Sequence, residues 1–217
     1  MFFALIRRKE KWVLTWRAWV LLTIVLGGSG TFAFRNLHRF LAVNAPVNST
    51  VLVIEGWVPR YAVTNYVKQN HQHYTAIYTT GGATLTDYRS NDMSDTYASV
   101  VRTRLTRAGV PAEKIHVVPS WLVRRDRTYS AALALHEWSK TNNVHLTAFN
   151  VITLGPHARR SRLLHEKAFG PGTKIGIIPL EDIQYDADHW WRYSEGVKET
   201  LSEAIAYLYA RFFFSPE

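Results

Sequence analysis

TVLVIEG, residues 50–56, is the stretch that decides the fold. Its first five residues are apolar or β-branched without interruption. A half-exposed strand alternates apolar and polar residues, so an unbroken run marks a strand covered on both faces. Four further runs of the same kind follow: AIYTTGG at 76–82, KIHVVPS at 114–120, FNVITLG at 149–155 and KIGIIPL at 174–180.

Helical patterns separate these runs. They cover Pro59 to Gln69, Asp95 to Ala108, Tyr129 to Lys140 and His157 to Phe169, and an amphipathic helix runs from about Trp190 to Phe212. Pro59 suits a first helical turn. Ser94 is placed to cap the second helix, and Gly109 and Gly170 stop the second and fourth. Strands alternating with helices predict an α/β fold, a Rossmann-like three-layer sandwich with a mostly parallel sheet of about five strands.

Upstream, AWVLLTIVLGGSGTFAF at 18–34 carries no charge. Extended back through Trp12, Val13 and Leu14, with Arg17 reaching towards the headgroups, it attains the roughly 20 residues a bilayer span requires. Trp12, Trp16 and Trp19 resemble an interfacial aromatic belt. Arg7, Arg8, Lys9, Lys11 and Arg17 precede the span and only Arg35 and Arg39 follow closely, which predicts a cytoplasmic N-terminus and a domain on the other side. A cleaved signal peptide and a buried core helix compete for the segment. The one plausible cleavage site, Val43-Asn44-Ala45, is followed by Pro46, and a core helix would not carry a basic cluster on one side. The expected organisation is a basic tail and transmembrane anchor over residues 1–35, a juxtamembrane linker over 36–49 and an α/β domain over 50–217.

The net charge of +9 invites a nucleic-acid reading. Residues 1–40 hold seven basic residues and one acid, which leaves only +3 for the remaining chain. The basic excess belongs to the membrane end, so no nucleic acid is expected as partner. There is no cysteine, hence no disulfide, thiolate metal site or thiol nucleophile. The nine histidines form no H-E-x-x-H, and no metal site is expected.

Ligands of open parallel sheets bind beyond the carboxyl ends of the strands. The loops there carry Glu55-Gly56-Trp57, Gly81-Gly82, Arg124 to Thr128, Gly155-Pro156-His157 and Glu181-Asp182. Neither a G-x-G-x-x-G nor a G-x-x-x-x-G-K-[ST] is present, so no cofactor is assigned, and without a G-x-S-x-G elbow a serine hydrolase is excluded. His157 and Arg160 share one face of a first helical turn. The histidine can move a proton and the arginine can grip a phosphate or carboxylate; equally, His157 can cap the helix while Arg160 pairs with Asp126 or Glu55. Asp126 or Thr128 is placed to cap the third helix. Glu55, acidic at the rim of a buried strand, is costly unless paired or used. Near the C-terminus, LYARFFF fits core packing or a bilayer surface.

These landmarks resemble the ElyC/SanA/YdcF family over roughly residues 50 to 205. They are VIEGW at 53–57, TTGG at 79–82, Ser94-Asp95-Thr96, AGVPAEKIHVVP at 108–119, Thr128, and ITLGPHARRSRLL at 152–164. The chain departs from the family pattern at Asp95, where Glu is usual, at Tyr129-Ser130-Ala131, where Glu-Asn is expected, and at Ser161, where Ala is usual. The resemblance implies a Rossmann-like fold, the bacterial inner membrane and peptidoglycan-related or other envelope processes. The expected function is a membrane-anchored envelope protein, enzyme or binding protein, with a crevice for a small anionic or phosphorylated ligand. His157 is its acid–base candidate, oriented by Glu55 or Asp95; Arg160, Arg127, Thr128, Gly56, Gly81 and Gly82 are its ligand-binding candidates. The alternative is a non-catalytic, membrane-tethered adaptor or regulator.

Overall fold

The computed structural model describes residues 11–84, 96–120 and 126–216. The chain divides into two units, Met1–Asn36 and Leu37–Glu217. Helix α1 (Trp16–Leu41) begins in the first, where its apolar side chains are exposed, and is long and apolar enough to cross a bilayer. A signal sequence meets the same two criteria.

In the second unit the described residues form five strands: β1 (Val51–Glu55), β2 (Ala76–Gly81), β3 (Ile115–Pro119), β4 (Ala148–Leu154) and β5 (Lys174–Leu180). All pair in parallel in the order β3-β2-β1-β4-β5. Helices α2 (Arg60–Asn70), α3 (Tyr97–Arg107), α4 (Arg127–Thr141), α5 (Ala158–Phe169) and α6 (Ser194–Phe212) complete it. The α/β sandwich expected from the alternation is the one observed. Side chains of β1 alternate between two cores. Leu52 and Ile54 meet Val63, Val67, Val101 and Leu105 on one face, and Val53 joins Leu135, Val151, Phe149 and Ile177 on the other. Full burial of each such side chain contributes about 1.5–3 kcal/mol.

The chain builds outward from β1 to β2 to β3, and α4 then carries it back to β4 on the other side of β1. Connections leaving β1 and β4 therefore diverge, and a crevice opens beyond their carboxyl ends.

Local departures from the expected boundaries have identifiable causes. Thr96 caps α3, its hydroxyl accepting from Ser99 N at 3.2 Å; Ser94, the expected cap, lies outside the described residues. The expected final helix is broken: a 3-10 segment, Ala187–Arg192, is followed by extended Tyr193, and α6 starts at Ser194. Trp190 is fully buried there, and its carbonyl sits where a side chain at 196 would project; glycine makes the room.

Leu37 to Val47 pack within the α/β unit. His38 is buried against Tyr185, 3.2 Å from its hydroxyl, and Ala45 bridges Ile177 in both directions, covering the edge of β5. Inside the FNVITL run the Asn150 amide accepts from Val47 N at 2.8 Å and donates to Val47 O at 2.9 Å. It passes over Gly176, where a Cβ would collide with it. Asn150→Leu keeps the volume but strands both Val47 groups, at about 1–3 kcal/mol. A thermal midpoint lower by roughly 3–10 °C is expected from calorimetry of the full chain in detergent.

Candidate functional site

Glu55 is 3% exposed at the end of β1, and three donors converge on it. Thr153 of β4 donates to Oε2 at 2.5 Å, the Trp57 indole N–H to the same oxygen at 3.1 Å, and Ser161 of α5 to Oε1 at 2.7 Å. The parallel register of β1 and β4 sets Thr153 beside the strand end, and Ser161 lies one turn beyond His157 on the inward side of α5. The desolvation of this carboxyl group is thus offset by hydrogen bonds from three separate elements.

His157 closes the 3-10 turn Gly155–His157 after β4 and is 6% exposed. Its Nδ1 lies 2.9 Å from Oε1 of Glu203 on α6, while Nε2 lies 3.3 Å from the Thr128 hydroxyl and 3.5 Å from Glu55 Oε2. Nδ1 also lies 2.9 Å from Arg160 Nη2, which can only donate. A ring with its proton on Nδ1 donates to Glu203 and accepts from Thr128 at Nε2, whereas a ring that accepts from Arg160 at Nδ1 carries its proton on Nε2, towards Glu55 and Thr128. The edge of the ring meets Trp57, with centroids 5.0 Å apart.

Arg160 clasps the same carboxylate. Its Nε donates to Glu203 Oε2 at 2.8 Å and its Nη2 to Oε1 at 2.9 Å, a two-point bond. Burial opposes the charge on both partners, and their pairing outweighs it. Arg160 is raised above its ordinary value, and Glu203 is held far below the usual carboxylate range by Arg160 and His157. Glu199, one turn earlier on α6, moves the other way, pushed up by burial and by the nearby acids Glu203, Asp182 and Glu195.

A cavity of about 470 Å³ opens over these groups. Glu55, Gly56, Gly81, Gly82, Arg127, Thr128, His157 and Arg160 all line it, together with Trp57, Glu199 and Glu203. Residues expected at the strand rims are thus brought together; Asp95 lies outside the described residues, as do Arg124 and Arg125. Glu181 and Asp182 do not line the cavity, and Asp182 instead accepts from Tyr61 at 3.1 Å.

Several roles differ from those expected. Arg160 pairs with Glu203 rather than with Asp126 or Glu55. Neither Asp126 nor Thr128 caps α4: Asp126 occupies the N-cap position in a left-handed conformation, φ 48°, without a side-chain bond to the helix start, and Thr128 turns to His157. Gly56 and Gly81 serve close packing. A Cβ at Gly56 would lie 2.5 Å from Thr80 O and 2.7 Å from Tyr97 C; one at Gly81 (φ 134°) would lie 2.9 Å from Tyr97 Cβ. Their absence of side chains lets the start of α3 close down on the strand ends. Exposed Arg127 forms no salt bridge among the described residues.

Sequence reasoning missed Glu203, Ser161 and Thr153. Ser161 and Thr153 sit among residues that read as inward-facing. For Glu203 a faint signal exists: with Glu199 it shares the helical face of buried Gly196, Thr200 and Ala210, an improbable place for two acids unless cations meet them.

Compared with known proteins, the chain matches no protein-family model and no curated sequence.

Removing Glu203 leaves Arg160 and His157 without their anion. Glu203→Ala is expected to cost about 3–5 kcal/mol. The depressed value of Glu203 makes its stabilisation complete above the ordinary value of 4.5 and progressively lost as pH falls below it. Glu203→Gln is therefore expected to flatten the fall of the thermal midpoint between about pH 5 and pH 3, as measured by a calorimetric pH series.

Proposed function

We propose that this chain is a single-pass membrane protein of the ElyC/SanA/YdcF family, with its α/β domain outside the cytoplasmic face of the bacterial inner membrane. In this reading the crevice binds a small anionic or phosphorylated ligand, on which His157 acts as general base and then general acid. The observation that carries the reading is the setting of His157, a ring held at Nδ1 by Glu203 and lining a cavity of ligand size; in this reading the proton sits on Nδ1 and Nε2 is the nitrogen that serves the ligand. Taking a proton from water or a ligand hydroxyl makes the ring an imidazolium, and Glu55 and Glu203 flank the charge on either side. The same ring then returns the proton to a departing oxygen. Such a step serves transfer or hydrolysis at an ester of the kind handled in envelope metabolism.

An anionic ligand is supported by Arg127 and by the start of α4, which lines the cavity with no side-chain cap on its first-turn N–H groups. Arg160 contributes through the field of its pair with Glu203 rather than as an open claw. Family membership is supported by the motifs from VIEGW to ITLGPHARRSRLL; Ser161, where that family has Ala, adds a donor to Glu55. The anchor is supported by α1 and the basic residues before it.

One observation favours the non-catalytic adaptor. Arg160 gives two nitrogens to Glu203 and both nitrogens of His157 have partners, which is also how a structural rivet is built.

The two readings part on a binding and turnover experiment with the full chain in detergent micelles. Inorganic phosphate, nucleotides and sugar phosphates are screened by thermal shift and by release of phosphate. The expected result is a raised midpoint with one class, reduced in Arg127→Ala. His157→Gln is expected to keep that shift and to lose turnover by about 10²–10⁴-fold. A flat screen, with His157→Gln indistinguishable from the unaltered chain, removes the enzyme and leaves the adaptor.

A further inference from the structure

Helix α6 has two faces of opposite character. Glu199 and Glu203 line the cavity, and Gly196, Thr200 and Ala210 are buried on that side. On the other side Leu201, Ile205, Leu208 and Phe212 recur at helical spacing, with Tyr209 and Phe213 beside them. Ile205, Phe212 and Phe213 are 70%, 71% and 77% exposed. Of the segment LYARFFF, core packing takes in buried Ala210 and half-buried Phe214, whose ring meets Tyr129 of α4 and lies under Lys167, and leaves Leu208, Phe212 and Phe213 outside it. Apolar side chains aligned along two to three turns are a contact surface, not scattered exposure.

We infer that this face of α6 rests on a lipid bilayer surface. The inference builds on the anchor reading given above. Phe40 packs edge-on against Tyr207 of α6, centroids 5.9 Å apart, and Arg159 stacks over Phe40. The helix is therefore fastened to the chain six residues past Phe34, the end of the uncharged stretch. Six residues span about 20 Å at most even when fully extended, so on the anchor reading the connecting chain is short enough to keep α6 near the membrane.

Chemistry and extent point the same way. Phe212, Phe213 and Tyr209 with Lys198 and Arg211 form the aromatic and basic mixture that settles at headgroup level. The stripe is about 18 Å long and one helix wide, about 10 Å, a footprint of roughly 200 Å². A stable protein interface needs about 800 Å² from each partner, so a second copy of the chain is poorly served by it. A lipid surface demands no matching patch.

The absence of cysteine makes the test direct. Single variants Leu208→Cys, Phe212→Cys, Thr141→Cys and Val25→Cys of the full chain carry an environment-sensitive fluorophore. They are reconstituted into phosphatidylcholine–phosphatidylglycerol vesicles holding a lipid with a nitroxide near the glycerol end of its acyl chain. Thr141, exposed at the end of α4, is the reference, and Val25 reports the anchor. Quenching at 208 and 212 at least threefold above that at 141 is the expected result. Quenching at 208 and 212 equal to that at 141, with Val25 quenched, overturns the surface contact and leaves the anchor standing. Quenching at 208 and 212 with Val25 unquenched keeps the contact and removes the anchor. Self-quenching at 208 that grows with protein-to-lipid ratio, without nitroxide quenching, assigns the face to a second copy and overturns the inference.

Discussion

A carboxylate withdrawn from water has to be given donors or cations, and in this domain buried Glu55 and largely buried Glu203 flank one histidine. Glu55 is satisfied by hydroxyls and an indole from the elements that surround it. Glu203 is satisfied by Arg160 and His157, which the chain places 43 and 46 residues before it. A buried ion pair adds little over an apolar contact of the same shape, yet removing one partner is severe. Its effect here is positional: α6 has one place to lie, across the rim formed by β4 and α5, and its arrival converts a notch into a walled cavity.

The sheet order makes this possible. Because β2 and β3 are laid down on one side of β1 and β4 and β5 on the other, the loops after β1 and β4 turn away from each other. Glycine completes the arrangement from the α3 side, since side chains at 56 and 81 would hold Tyr97 off the strand ends. His157 then has Glu203 and Arg160 against one nitrogen and Thr128 and Glu55 against the other, in a ring that lines the cavity.

Much of this was legible in the residues. Strands β1, β2 and β4 are buried on both faces, so TVLVI, AIYTT and FNVITL read as unbroken runs, and the parallel sheet followed. Glu55 stood out because a charge at the end of such a run needs an explanation; His157 and Arg160 stood out because they open a helix after one. Partner choice was not legible. Nothing near Arg160 in sequence names Glu203, and Thr153 and Ser161 look like ordinary inward residues until the register of β1 against β4 is known. Gly56 and Gly81 were readable as special positions, but their reason, room for Tyr97, depends on a helix some 15 to 40 residues away. The break before α6 was hidden for the same cause: only tertiary burial of Trp190 makes Gly196 a necessity.

Synthesis runs from N- to C-terminus, and the carboxylate that completes the cluster is made after everything it touches. While the ribosome has yet to deliver Glu203, the sheet can already pair, but Arg160 and His157 face each other with no anion between them. A domain whose strands pair before Glu203 is in place has a rim that is electrostatically open, and the final helix closes it as a latch. A chain cut short before residue 203 would be expected to keep its layers and lose its pocket, a failure of closure rather than of architecture.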